Sequence, residues 1–282
     1  MSTRTAAKAP AAPPVPRPVT DRDSVRFGDL LRSEWVKFRS LRSLWWTLLA
    51  MVTLSVTVTL LVSSGEPADY AALSAEERRE WDPTGLSLTS FFVGQLAVCL
   101  LGVLTVTSEY ATGTIRTSLA AMPRRGRLLA AKTLVLAGVA LAAGQVTSFA
   151  CFLTGQAMIG RRDGTPTASL ADPGVPGAVI GIGLYLAAIG LLAVAVGTLT
   201  RSTAGGLAVL VGVTLLVPAT GELFPSPVQK AFAYWPSLGG PEVRNLHPTA
   251  EYPDGWWNLA GMTAGVAAVL AVAFVVFRRR EV

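Results

Sequence analysis

Six long runs of apolar residues, separated by short polar segments, dominate the chain. Glu222, at the end of the fifth run, is the only charged residue inside them. A run of about 20 apolar residues crosses a ~30 Å hydrocarbon layer as a helix, because lipid offers the backbone polar groups no other partner. The pattern predicts an all-α polytopic membrane protein, with one six-span domain over residues 25–282. The predicted spans cover about 44–63, 88–107, 133–157, 178–200, 204–222 and 257–277.

The segment before the first run has two parts. Residues 1–24 are rich in Ala and Pro and lack periodicity, which is typical of a disordered tail. From Phe27 to Arg42, apolar residues recur at spacings of three and four and share one face of a helix. This predicts an amphipathic helix lying in the membrane interface, with Glu34 and Lys37 among the charged residues on its other flanks. Its apolar face consists of Phe27, Leu30, Leu31, Trp35, Phe38 and Leu41.

The distribution of Lys and Arg along the chain predicts how it is oriented in the membrane. The chain has a net charge of +6 with 15% charged residues. Eighteen of its 24 Lys and Arg residues lie before the first run, between the second and third, between the fourth and fifth, and after the sixth. Because cytoplasmic loops carry the excess of Lys and Arg, both termini are predicted to be cytoplasmic. Topology accounts for the net charge, so nucleic-acid binding is not needed to explain it.

Motifs for catalysis are missing from the sequence. The single histidine, His247, excludes paired-histidine metal sites such as H-E-x-x-H. None of the four lysines follows a glycine, so the chain cannot form the Walker A loop that cradles phosphates. We therefore expect no enzyme activity, metal or cofactor in this chain and interpret Cys99 and Cys151 as packing residues. An intramembrane enzyme is the disfavoured alternative.

Uncharged polar residues inside the spans leave two interpretations open. Gln95 and Gln145 either line a polar path through the membrane or form hydrogen bonds between helices, and the second is the commoner role. No span carries an ionisable group at mid-depth, which argues against a transporter driven by protons or sodium ions.

The segment 108–127 is short, polar and basic, and it connects two apolar runs. Gly113 allows a left-handed turn, and Glu109 lies where the second span reaches water, with Arg116 as a candidate partner. Lys132, in the first turns of the third run, is expected to extend its ammonium to the interface. The segment is interpreted as a structured element that contacts a cytoplasmic partner; a basic loop that only fixes topology is the alternative.

Four motifs resemble those of membrane permeases of type-two ABC exporters, closest to permeases of high-GC actinobacteria. The most specific is E-Y-x-x-G-T-I-R-x-x-L-x-x-x-P-R-R, which begins at Glu109, directly after the second span. The others are S-E-W-V-K-F-R-S at Ser33, Y-W-P-S-L-G-G at Tyr234 and F-R-R-R-E at Phe277. The resemblance covers about residues 27–282.

The resemblance implies a coupling helix that docks onto a separate ATPase subunit. The coupling residues would be Glu109, Tyr110, Gly113, Thr114, Ile115 and Arg116. Phe27 to Arg42 would be an interfacial elbow helix, and residues 224–255 an outer gate region. The implied assembly is a bacterial cell-membrane exporter with two permease copies in contact with lipid, and with ATP and Mg on the ATPase subunits. A non-transport sensor or scaffold that binds a cytoplasmic protein through 108–127 is the alternative function.

Overall fold

The computed structural model describes residues 26–65, 70, 73–115, 125–247, 249, 252 and 254–279, and within these ranges every regular element is helical. The predicted tail, residues 1–24, lies outside them. The α-helices are α1 (Phe27–Ser40), α2 (Arg42–Gly65), α3 (Ala75–Arg79), α4 (Pro83–Ser87), α5 (Phe91–Ala111), α6 (Arg125–Ile159), α7 (Val175–Thr200), α8 (Thr203–Val211), α9 (Val217–Ala219), α10 (Ser226–Ala231) and α11 (Gly255–Arg279).

Five of the described helices, α2, α5, α6, α7 and α11, are long and apolar enough to cross a membrane. They cover five of the six predicted spans. The remaining prediction, 204–222, falls on a shorter apolar helix, Thr203–Ala219. The structure therefore supports a multi-pass helical membrane protein, with five helices of spanning length rather than the predicted six.

The shorter helix contains a π-helical segment, Gly212–Leu216, between α8 and α9. The N–H of Val217 donates to Gly212 O instead of the usual acceptor four residues back, Val213 O. Val213 O instead accepts a hydrogen bond from the indole N–H of Trp235, with an N···O distance of 2.7 Å. Pro218 has no N–H to continue the ladder. The inserted indole and the proline together explain the irregular turn.

Helix α7 is the centre of the bundle. It packs against α5, α6 and α11, and 78% of its most apolar stretch is buried, against 22% in α2 and α11. The exposed apolar side chains of the outer helices, such as Trp46, Leu61 and Leu216, face outward, as lipid contact requires. The core therefore forms around a helix that is apolar on all sides.

Glycines set the distance between α7 and its neighbours. A Cβ on Gly102 of α5 would lie 2.5 Å from the Cβ of Ala193 and 2.7 Å from Gly190 O. A Cβ on Gly144 of α6 would lie 2.7 Å from Gly183 O. Close backbone approach at small residues is how membrane helices gain packing energy, so both crossings depend on these glycines.

We predict that Gly102→Ala destabilises the bundle by about 1–3 kcal/mol, the usual result of overpacking a tight contact. Gly265→Ala in α11 is the matched control, since no atom lies within 4 Å of the Cβ it would add. The control should match or exceed wild-type stability because alanine favours helix over glycine. The unfolding midpoint of each variant is measured by heating the protein in detergent. Labelling of the buried thiols of Cys99 and Cys151 reports the unfolding. Equal melting of the two variants would contradict the packing argument.

One end of the bundle gathers the last residues of α5, the first of α6, the α7–α8 junction and the last of α11. Gly126 lies beside the Arg278 side chain there, and the Arg201 guanidinium lies 5.4 Å from the ring centre of Tyr110. Helix α1 reaches the same end, where Phe38 packs in one cluster with Phe277. We call this the charged end; it is the end predicted to be cytoplasmic.

The opposite end is closed by segments that fold back onto the bundle. Asp82 caps α4 and also accepts a hydrogen bond from the N–H of Leu246 at 2.9 Å. The 3-10 turn Gly240–Arg244 packs on α7 and α11, and a Cβ at Gly240 would overlap the Met262 sulfur. The region 224–255 is thus partly helical where the structure describes it. Ser74 and Glu77 form a capping box at the beginning of α3.

Candidate functional site

Four charged side chains meet between three helices at the charged end. Lys132 Nζ of α6 lies 2.8 Å from Glu34 Oε2 of α1 and 2.6 Å from Glu109 Oε1 of α5. Lys37 Nζ of α1 lies 2.8 Å from Glu34 Oε1 and 3.0 Å from Glu109 Oε1. We call these four residues the charge cluster. It joins α1 to the end of α5 and the beginning of α6.

Most of the charge cluster is removed from solvent. The side chains of Glu34 and Lys132 are each 5% exposed and that of Glu109 is 11% exposed, whereas Lys37 is 46% exposed. A buried charge is tolerated only when it is paired and hydrogen-bonded. The two ammonium groups balance the two carboxylates, so each residue depends on the others for its place in the fold.

Lys37 keeps its charge in this setting. Burial lowers the pKa of Lys37, but its hydrogen bonds and attraction to Glu34 and Glu109 outweigh burial and raise the pKa above 10.5. A raised pKa stabilises the folded state at every pH below the ordinary value, and that stabilisation is lost only as pH rises through the folded-state pKa. The charge of Lys37 is therefore constant across neutral pH.

Two predictions about these residues are wrong. Glu34 does not lie on a polar flank, because α1 packs its Leu30–Glu34–Phe38 face against the protein and buries all three. Lys132 does not extend to an interface, because its ammonium is held by the two carboxylates. The spacing of four between Leu30, Glu34 and Phe38 was the available signal, since it places the three on one face. The proposed partner of Glu109, Arg116, lies outside the described residues.

A tight turn follows α5. Gly113 has a φ of 70°, in the left-handed region that glycine adopts without strain. The Thr112 hydroxyl donates to Ser108 O at 2.9 Å and lies 2.8 Å from the Thr114 hydroxyl. Ile115 is buried in the same apolar cluster as Phe38. The turn is thus fixed at one side by Ile115 and at the other by Glu109.

The coupling residues implied by the resemblance are partly brought together. Glu109 belongs to the charge cluster, Tyr110 lies beneath Arg201, and Gly113 to Ile115 form the turn. The Arg201 guanidinium has two buried nitrogens, Nε and Nη2, without a hydrogen-bond partner in the described part of the chain. Sequence reasoning missed Arg201, whose left-handed φ of 53° ends α7 and turns it toward Tyr110.

The apolar face of α1 is divided between protein and surroundings. Leu30 and Phe38 are buried against the bundle, and Phe27 and Leu31 pack around Leu30. Trp35 is exposed and its ring is stacked on Phe38, with ring centres 6.3 Å apart. The structure has a helix at the predicted position, Phe27–Ser40, whereas its role as an amphipathic helix in a membrane interface stays a prediction.

Both glutamines of the predicted polar path have hydrogen bonds to α7. Gln95 is buried and accepts from the Tyr185 hydroxyl at 2.5 Å. Gln145 donates to Ile180 O at 3.1 Å. Each bond joins two helices, which is the commoner of the two roles considered. The structure places Arg244 over the Phe91 ring at 4.9 Å, another contact that sequence reasoning missed.

A metal centre has no counterpart in the described residues, where no group of three His, Cys, Asp or Glu side chains is placed to hold an ion. The charged end presents a solvent-facing turn that is connected to a buried ionic contact between helices.

A family model described as ABC-2 family transporter protein matches residues 30–217, which include most of α1, the charge cluster, the turn and α7. A search among curated proteins gives no match.

Proposed function

The chain belongs to the ABC-2 transporter family, and from this premise we propose that it is the permease subunit of an ATP-driven exporter. As a multi-pass membrane subunit of such a transporter, it would associate with a separate ATPase subunit that binds ATP and Mg. Two permease copies would form the translocation pathway in a bacterial cell membrane, with both termini cytoplasmic.

The observation that carries the proposal is the connection between the turn and the bundle. The turn Gly113–Ile115 directly follows α5. One helical turn earlier, Glu109 forms salt bridges with Lys132 of α6 and Lys37 of α1. A push on the turn would therefore move three helices together. An ATPase docked on Glu109 to Arg116 would use this connection to transmit its closure to the spans.

Closely packed helices extend the connection toward the opposite end. Helix α5 packs against α7 at Gly102. The two helices are also joined by a hydrogen bond from the Tyr185 hydroxyl of α7 to Gln95 of α5. Packed interfaces move as units rather than deforming continuously, so displacement at the charged end would shift α5 relative to α7. The segment 224–255, which packs on α7 and α11, would then act as the outer gate region.

The proposed topology needs one more crossing than the five long helices provide. At 1.5 Å per residue, the 17 residues of Thr203–Ala219 span about 26 Å, slightly less than the hydrocarbon layer. We propose that this helix, with the turns that follow it, forms the sixth crossing. A cysteine that replaces Leu223, beyond the end of this helix, should be labelled from one side of the membrane. A cysteine that replaces Thr203 should be labelled from the other side.

Co-purification tests the function. The tagged chain is isolated from native membranes, and the proteins retained are identified and assayed for ATP hydrolysis. We expect an ATPase subunit in the complex and ATP-dependent transport after reconstitution in vesicles. Retention of a kinase or regulator without any ATPase would contradict the proposal and favour the sensor or scaffold function.

A further inference from the structure

Two cavities meet beneath α1 at the charged end. The first, about 450 Å³, is lined by all four residues of the charge cluster and by hydroxyl-bearing residues of α5 and the turn. The second, about 640 Å³, is an open groove between α1, α2 and α6. Phe38 and Val135 line both cavities, so the polar cavity and the groove are adjacent.

The polar cavity has an unused acceptor. Glu109 Oε1 accepts hydrogen bonds from Lys37 and Lys132. Glu109 Oε2 is buried and has no hydrogen-bond partner among the residues the structure describes. A buried carboxylate oxygen without a donor is unfavourable. A ligand with an ammonium group would supply the missing donor, and its positive charge would complement the carboxylate.

The same cavity has a donor at its edge. Lys37 is half-exposed, and two of its three ammonium hydrogens are directed at Glu34 and Glu109. The third is available to an anionic oxygen. The cavity therefore presents one acceptor for a cation and one donor for an anion within a charge-balanced set. A zwitterionic group matches this pattern better than an anion alone.

The groove supplies the apolar half of a site. Its described lining contains no charged, hydroxyl or amide side chain; it consists of Trp35 and Phe38 of α1, Trp45 and aliphatic residues of α2, and glycine and aliphatic residues of α6. Gly138 forms its floor, with no atom within 4 Å of where a Cβ would stand. Trp35 and Trp45 are part of the groove lining, and indole rings favour the membrane surface.

We propose that the two cavities form one binding site for a phospholipid that carries a primary amine in its headgroup. The ammonium donates to Glu109 Oε2, the phosphate accepts from Lys37, and an acyl chain occupies the groove along α6. The bound lipid connects α1 to α2 and α6. This inference requires only that the chain resides in a membrane; it shares Glu109 with the proposed ATPase coupling but does not depend on that coupling.

Native mass spectrometry of the purified full chain in detergent tests the site with three phospholipids of identical acyl chains. Phosphatidylethanolamine should bind about tenfold more tightly than phosphatidylcholine, whose quaternary ammonium cannot donate a hydrogen bond. Phosphatidylglycerol, which lacks an amine, should bind no better than phosphatidylcholine. Equal binding of the three, or a preference for phosphatidylglycerol, would overturn the proposal; equal binding is also the result if another segment of the chain occupies Glu109 Oε2.

Two variants separate the halves of the site. Gly138→Leu places a leucine side chain in the groove and should weaken phosphatidylethanolamine binding several-fold, whereas Gly265→Leu, at an equally open position on α11, should leave it unchanged. Glu109→Gln should reduce phosphatidylethanolamine to the phosphatidylcholine level. Unchanged binding in Gly138→Leu overturns the groove as the acyl site. If Glu109→Gln fails to fold, the headgroup comparison on the native chain decides the ammonium contact.

Discussion

Replacing Lys132 with methionine should destabilise the protein by about 3 kcal/mol. Removing one partner of a buried ion pair typically costs 3–5 kcal/mol, because the remaining charge is left buried and uncompensated. We expect a destabilisation at the lower end of this range, because Lys37 still contacts both Glu34 and Glu109. Labelling of the buried thiols of Cys99 and Cys151 during heating would report the lowered unfolding midpoint.

Two further variants identify the cause. Lys230→Met, at an exposed lysine of α10, is the matched control and should melt like the wild type. The double variant Glu34→Gln with Lys132→Met should be more stable than Lys132→Met alone, because it removes one of the two buried carboxylates that the single variant leaves underpaired. A Lys132→Met melting point equal to that of the control would show that the charge cluster contributes nothing to stability.

Replacing Gly113 with valine should reduce ATP-dependent transport about tenfold while leaving the fold intact. No atom of the described residues lies within 4 Å of the added Cβ, so no clash with them arises. The left-handed φ of 70° costs an L-residue about 1–2 kcal/mol, and a β-branched side chain is especially disfavoured there. The turn would relax to another conformation and misplace Thr114 and Ile115. At 1.4 kcal/mol per factor of ten, this strain corresponds to the stated loss.

The rescue variant makes the backbone argument specific. Asparagine adopts the left-handed conformation more readily than other non-glycine residues, so Gly113→Asn should retain most transport. Gly265→Val, in the open part of α11, should transport normally. Transport in reconstituted vesicles and the unfolding midpoint are measured together. Loss of transport in Gly113→Asn equal to that in Gly113→Val would show that glycine is needed for a reason other than its φ.

The helices could be predicted from the sequence because each depends on a local property. A run of apolar residues that cannot satisfy its backbone in lipid must be helical, and the long helices coincide with the predicted spans. Helix α6 begins at Arg125, before its predicted start, and its 35 residues are about 52 Å long, more than one crossing needs. The excess is what brings Lys132 to the charge cluster.

The charge cluster could not be predicted in full because its partners are distant in sequence. Lys132 and Glu34 are 98 residues apart, and nothing local to either residue specifies the other. An apolar run that begins at a lysine nevertheless indicates a need for a carboxylate nearby. Glu34, located between Leu30 and Phe38 on one helical face, was that carboxylate.

The π-helical segment shows the same limit. Pro218 is visible inside the predicted span and indicates an interrupted hydrogen-bond ladder. The other cause, the Trp235 indole bonded to Val213 O, comes from a loop that packs back onto the helix. Local chemistry therefore predicts that the helix is irregular, and only the tertiary contact explains how.

Photo-crosslinking from the turn tests the central claim most directly. A benzophenone amino acid is placed at Ala111, the exposed last residue of α5, and at Ala171, an exposed residue of the opposite end. In membranes that contain the assembled complex, the probe at Ala111 should form an adduct with an ATPase subunit, and the probe at Ala171 should not. An adduct at Ala111 that contains no ATPase, or an ATPase adduct only at Ala171, would contradict the account of this turn as the coupling element.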